Sequence, residues 1–367
     1  MMKIIEKYPK KQEKVEKLWD TILLREEDSE SFLRDFYTSI VGDSPKINNL
    51  HDPFEEEIIK GEYDIHINLD EVISEKHAQR VVNLARTLED EATAYYQIID
   101  CDWPFEESKV DTWYERRLLR LATVLGHKKA FPVLLSAWNT DDQDLFAGIV
   151  HLLEIFMFRY IILGNGRPSS LDDSYHPISK ELRAREENAN LGQFVNSLIS
   201  LVEDDSDPGQ VRANFPDVLE YNSRSSVQKR RIRHALTTLE SYYLWTRSGS
   251  NNEDRNFKKD LLFDLSNTTI EHVYPRKPSN ENFNSDLDNV KNHIGNLTIL
   301  DPGENSDLGN LPFQEKRDFY INESSLQINR DIGTSAMWDV RRVECRSDSI
   351  INNLIRIFYL FYLDNLT

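Results

Sequence analysis

Glu271 and His272 stand side by side in the run Thr268-Thr-Ile-Glu-His-Val-Tyr-Pro-Arg276. An imidazole titrates near neutral pH, which suits His272 to take a proton from water. Glu271 offers carboxylate oxygens, and Asn305 offers a side-chain carbonyl. Both are hard ligands that suit Mg²⁺ or Mn²⁺ better than Zn²⁺. A base and an oxygen-held cation are what hydrolysis of a phosphodiester needs. The base deprotonates water, and the cation offsets charge on the phosphate and the leaving oxygen. Mg²⁺ keeps several waters, so two side chains plus a phosphate suffice to hold it. A Glu-His pair alone is weak evidence; its weight comes from the segments around it.

Alternation puts Ile270, His272 and Tyr274 on one face of a strand, with Glu271 on the other. Pro275 ends that strand and a polar loop, Lys277–Lys291, follows. Ile294-Gly-Asn-Leu-Thr-Ile-Leu300 returns as a second strand, and Asp301-Pro-Gly-Glu-Asn305 is a turn. Pro312 suits the first turn of a helix reaching Tyr320, with Asn310 as its expected cap. The order is therefore strand, loop, strand, turn, helix. Asn296 falls on the second strand, where an amide side chain can bond loop backbone. Lys316 falls on the helix, Arg276 just past the first strand, and His293 just before the second.

The first 245 residues read as helical. Phe32, Leu33, Phe36, Tyr37 and Ile40 recur at helical spacing in Ser29–Val41, with Asp28 or Ser29 expected to cap it. The same rhythm runs through Glu71–Ile99, Trp113–Leu125, Ala130–Trp138, Asp144–Leu163 and Val227–Trp245. The apolar stretch Leu145–Gly164 carries His151, Glu154 and Arg159, so a buried core helix is expected rather than a membrane span. Thr246–Arg255 is polar and without apolar periodicity, and a domain boundary is expected there. The division is a helical domain over 1–245 and a second domain over 246–367. The fold class is α+β and mostly α, ending in an apolar terminal helix over Ser347–Leu363.

The two cysteines, Cys101 and Cys345, are far apart, which excludes a disulfide framework and a cysteine zinc site. That usage and the absence of an apolar signal core point to the cytoplasm. A net charge of −19 opposes passive binding of nucleic acid, because phosphate contacts need Lys and Arg. The clearest basic patch is Lys229, Arg230, Arg231 and Arg233, which could track a DNA backbone. Arg116, Arg117 and Arg120 fit a wet helix face as well as they fit a contact.

The motifs EHVYPR, HIGNLTIL, the Asn of ENSDLGN and the F-x-x-K-x-x-x-Y of PFQEKRDFY resemble the C-terminal nuclease domain of GmrSD-type restriction endonucleases. Trp338 and Arg346 match a late Trp and Arg of that pattern. The resemblance is strong over about a third of the chain. It implies a ββα-metal (HNH, His-Me finger) fold with surrounding helices and a DNA endonuclease acting in defence against phage. It also assigns roles. His272 is the base, Glu271 and Asn305 are the Mg²⁺ or Mn²⁺ ligands, Asn296 braces the loop, and Lys316 contacts a phosphate. Full-length members carry a ParB-like nucleotide-binding half with an Asp-Gly-Gln-Gln-Arg-like stretch, which this sequence lacks. A separate ParB-like, NTP-binding partner subunit is therefore expected to find the DNA. Two other readings stay open: an inactive scaffolding module, and an RNA-directed toxin nuclease.

Overall fold

A computed structural model describes residues 5–66, 74–163, 168–185, parts of 192–199, 208–247, 268–300, 304 and 308–364. The chain divides into two compact units, Met1–Glu154 with Arg167–Leu201, and Ile155–Gly166 with Val202–Thr367. The fold is mostly α, with one small two-stranded sheet among the described residues.

The longer helices of the first unit are α1 (Pro9–Leu23), α2 (Glu26–Val41), α3 (Glu75–Asp100), α4 (Thr112–Leu119) and α5 (Phe131–Trp138). Helix α6 (Gln143–Met157) follows, and α7 is Pro168–Arg185. Helix α2 begins earlier than its periodicity predicts. Its N-cap is Arg25, not Asp28 or Ser29. Glu26, Glu27 and Asp28 occupy its first turn, where acidic charge meets the positive end of the helix dipole. Ser29 sits inside the helix and donates to the Glu26 carbonyl at 2.8 Å. Gly42 ends α2 at φ 78°, the left-handed C-terminal position that glycine adopts without a Cβ penalty.

The core of this unit is aromatic, with Phe32 and Tyr95 ring centroids 5.5 Å apart and Tyr95 edge-on to Phe131 at 5.7 Å. Its buried ions are matched. Arg117 reaches Glu154 at 3.2 Å and lies 3.9 Å from the centre of the Trp113 ring. Arg120 is buried near the same carboxylate. These two arginines are core groups and are not offered to a nucleic-acid backbone. His127 is buried and shares a hydrogen bond of 2.8 Å with the Tyr175 hydroxyl. Along Leu145–Gly164, α6 passes into a wider turn at Phe158–Leu163, and most of its described residues are buried. No described helix is long and apolar enough to cross a membrane.

The second unit carries α8 (Pro208–Val218), α9 (Ser226–Ser241), α10 (Tyr243–Arg247) and strand β1 (Thr269–His272). After these come α11 (Ser285–Val290), β2 (Leu297–Leu300), α12 (Phe313–Asn322), α13 (Gln327–Gly333) and α14 (Val340–Asp364). From residue 248 on, the expected boundary at Thr246–Arg255 lies outside the described residues. Helices α9 and α10, which precede it, group with the strands.

β1 and β2 pair antiparallel, Glu271 opposite Thr298 and His272 opposite Leu297. Two polar clamps fix the helices around this sheet. Buried Glu240 of α9 accepts from the Gln327 and Ile328 amides, each at 2.9 Å, and so caps α13. Asn329 of α13 donates to the Ile299 carbonyl at 3.1 Å and accepts from the Thr298 hydroxyl. The core beneath holds Tyr274, Leu300, Phe313, Tyr320, Trp338 and Val343. Helix α12 starts at Phe313 with Pro312 as its N-cap and no side-chain cap. The Asn310 cap expected from the sequence is not formed, because the helix begins three residues beyond it.

Candidate active site

Strand alternation sends neighbouring side chains to opposite faces. Glu271 turns toward α12 and His272 toward the turn before α9. Both are buried.

On the Glu271 side, Lys316 of α12 is wholly buried. Its ammonium is hydrogen-bonded to Glu271 Oε1 and donates to the His272 carbonyl at 2.8 Å. Burial raises the Glu271 pKa, and Lys316 opposes that shift. Burial likewise lowers the Lys316 pKa, with Glu271 pulling it back up. Each partner stabilises the charge that burial penalises in the other. Lys316 therefore braces β1 from within, and its ammonium is not presented to a phosphate.

On the His272 side, the imidazole meets the Tyr221 ring edge-on, with centroids 4.6 Å apart and planes at 87°. Tyr221 is tied down by its amide, which donates to the Asn292 carbonyl at 2.9 Å. Burial holds the His272 pKa down at about 4, Arg276 adds to this, and a hydrogen bond with the Asn292 side chain opposes it. The ring is therefore neutral at neutral pH, the form a general base needs. Its Nε2 is buried without a hydrogen-bond partner. Its contacts Tyr221 and Asn292 also line a cleft of about 390 Å³, together with Asn222, Gln228, Arg276 and Lys291; His272 itself lies behind that lining.

Asn296 does what its amide chemistry allows. It is completely buried. Its Nδ2 donates to the Tyr274 carbonyl at 2.9 Å and to the Lys291 carbonyl at 2.8 Å. Its Oδ1 accepts from the Tyr274 amide at 2.8 Å and from Trp338 Nε1 at 2.9 Å. One side chain thus joins the end of β1, the loop before β2 and the segment leading to α14. Arg346 completes the brace, donating to the Gly295 carbonyl at 2.8 Å and to the Leu297 carbonyl at 2.7 Å. Gly295 lies against α14. A Cβ there would collide with the Val343 carbonyl and would stand 2.8 Å from the Ser347 amide nitrogen.

The remaining sequence-predicted residues are dispersed. Arg276 is exposed beside the cleft, its guanidinium 3.4 Å from the Tyr221 hydroxyl. Gln228 of the cleft directly precedes Lys229, Arg230, Arg231 and Arg233 on α9, whose opposite face buries Ile232, Leu236 and Leu239. Arg230 is exposed, the other three are half-buried, and burial lowers the Arg231 pKa. His293 is exposed. Asn305 lies outside the described residues. Tyr221 and Asn292 escape sequence reasoning. Tyr221 precedes its histidine by some fifty residues, and the only local signal there is the Asn222–Ser225 turn that caps α9.

The metal expectation meets an obstacle. The Glu271 carboxylate is of the right chemistry, but its charge is already matched by Lys316. Among the described residues no three His, Cys, Asp or Glu side chains are grouped to hold an ion. The described side chains alone do not compose a metal site.

Residues 210–353 match the family described as GmrSD restriction endonucleases, C-terminal domain. That stretch is therefore similar to the C-terminal domain of GmrSD-type restriction endonucleases. It contains α9, both strands, the Asn296 clamp, Lys316 and the cleft beside His272. Comparison with curated proteins gave no match.

Proposed function

We propose that the GmrSD-type region is a ββα-metal (HNH) endonuclease module that cuts DNA in the restriction of foreign or modified DNA. The observation that carries this reading is His272. It is a buried, neutral imidazole with an unpartnered nitrogen, set beside a cleft that presents Arg276 and Lys291. In this reading His272 takes a proton from the attacking water. Asn296 holds the loop behind it, and Lys316 keeps Glu271 and the β1 backbone in place. Arg276, with Lys229, Arg230, Arg231 and Arg233, contacts the phosphate backbone. Glu271 and Asn305 are the residues that would hold Mg²⁺ or Mn²⁺, which would supply positive charge to the phosphate and the leaving oxygen. A net charge of −19 means that the chain alone binds DNA weakly, and a ParB-like, NTP-binding partner would supply recognition.

The test is plasmid nicking by wild type and His272→Ala with Mg²⁺ or Mn²⁺ present. Loss of a general base costs ~10²–10⁴-fold. The variant is expected to lose detectable cleavage with an unchanged melting temperature. Cleavage at the wild-type rate would sink the assignment. The Glu271–Lys316 closure favours one rival, a module that has lost its chemistry and serves assembly. Absence of cleavage by wild type at any divalent concentration would select it. Running total RNA beside the plasmid decides between RNA and DNA as substrate.

A further inference from the structure

A second cavity of about 380 Å³ lies among α9, α10, α13 and α14. Among the described residues its charged lining is three guanidinium groups, Arg247, Arg342 and Arg346, against one carboxylate, Asp331. That carboxylate is fully engaged. Its Oδ1 accepts from the Tyr243 hydroxyl at 2.7 Å, and its Oδ2 is bridged by Arg247. Arg346 spends Nη1 on backbone carbonyls, which carry no formal charge, and its Nη2 is buried with no hydrogen-bond partner. Asp331 acts on Arg346 only at a distance, and a largely buried guanidinium with no direct ion pair is costly unless something supplies the missing charge. In a chain of net charge −19 this cavity has the opposite sign.

We propose that this cavity is a binding site for a small phosphomonoester of nucleotide size, held by Arg342 and Arg346. The surplus of two positive charges calls for a dianion. Guanidinium forks match phosphate oxygens with paired hydrogen bonds. The hydroxyls of Ser335 and Ser349, also in the lining, add donors. The volume lies at the small end of the ~300–1,000 Å³ typical of ligand pockets, too little for a duplex. Trp338 forms part of the wall and adds apolar lining. A ligand here touches Trp338 and Arg346, the two side chains that hold Asn296 and residues 294–297. The site is thereby linked to the brace of the proposed active site, yet its occupancy does not depend on that site being a nuclease.

The experiment is calorimetric titration of the full chain at low ionic strength, with inorganic phosphate and with deoxyadenosine monophosphate. Melting temperatures are recorded in parallel. Wild type is expected to bind both at one site and to melt higher in their presence. Arg342 is exposed, so Arg342→Glu should fold normally and weaken binding by about tenfold or more. Arg346→Lys, which keeps the charge but loses the fork, should bind more weakly than wild type. Failure of both probes to bind would overturn the proposal. So would equal affinity in wild type and Arg342→Glu. Binding only by a short oligonucleotide without terminal phosphate would overturn it too, because that ligand carries diesters alone.

Discussion

In the first unit, Glu154 lies buried between Arg117 and Arg120, with His151 one turn earlier on the same helix. In the second, Glu271 lies buried against Lys316, with the next residue a histidine. The residue types are nearly the same and the outcomes differ. Helical spacing puts His151 and Glu154 on one face, so acid, bases and imidazole all close on one another inside the core. Strand spacing puts Glu271 and His272 on opposite faces, so the ion pair supports the strand while the imidazole turns to Tyr221, whose other surroundings form a cleft. Buried charge by itself therefore does not mark a site. An imidazole kept apart from that charge, with a buried unpartnered nitrogen and neighbours that line a cleft, marks the candidate.

The comparison can be broken at the ion pairs, where the largest effects are expected. Lys316→Met leaves Glu271 buried and unpaired, which typically costs ~3–5 kcal/mol. Urea denaturation should show that loss, and Lys316→Met combined with Glu271→Gln should recover much of it. Arg117→Met leaves Arg120 beside Glu154, so a smaller loss is expected. Equal losses would erase the distinction between the two clusters. Next is Asn296→Ala, which orphans buried donors and acceptors on three segments and should cost ~1–3 kcal/mol. Cleavage should fall further than stability does.

A third test uses pH. Burial holds the His127 pKa down at about 3 in the folded chain, against an unfolded value of about 6.5. The unfolded state therefore binds the extra proton first as pH falls. The contribution of His127 is fully present above about pH 6.5 and is lost as pH falls toward 3, by at most ~1.4 kcal/mol per unit. The difference in unfolding free energy between wild type and His127→Gln should shrink across that window and be flat above it. A constant difference from pH 7 to pH 4 would count against a neutral buried His127. The smallest effects separate two caps. Ser225→Ala removes a formed cap of α9 and should cost ~1 kcal/mol. Asn310→Ala should stay within ~0.5 kcal/mol, since it caps nothing.

Local pattern carried the ordered elements of the candidate site. Alternation around His272 and the apolar run ending at Leu300 announced both strands, and an amide before Leu297 announced a brace, although Asn296 sits in the turn Ile294–Asn296 that leads into β2 and not on the strand. The destination of Lys316 was not legible, because a lysine on a short helix reads as solvent-facing until the packing face of that helix is known. Tyr221 was hidden for a related reason. Nothing in its neighbours indicates that the turn before α9 is bound to Asn292, far along the chain. The helix starts at Glu26 and Phe313 show the limit of cap rules. Several plausible cap residues lay within a few positions of one another, and backbone geometry chose among them.

The close approach of α14 to Gly295 also has a consequence in time. Asn296 leaves the ribosome before Trp338 and Arg346, which follow it by 42 and 50 positions in the sequence. At ~5–20 residues per second, the strand pair exists for seconds without the side chains that hold it. A nascent chain at that stage has its histidine but not the geometry that gives the histidine a use. A message cut short before α14 yields the proposed base without its scaffold, and so a fragment with no competent site.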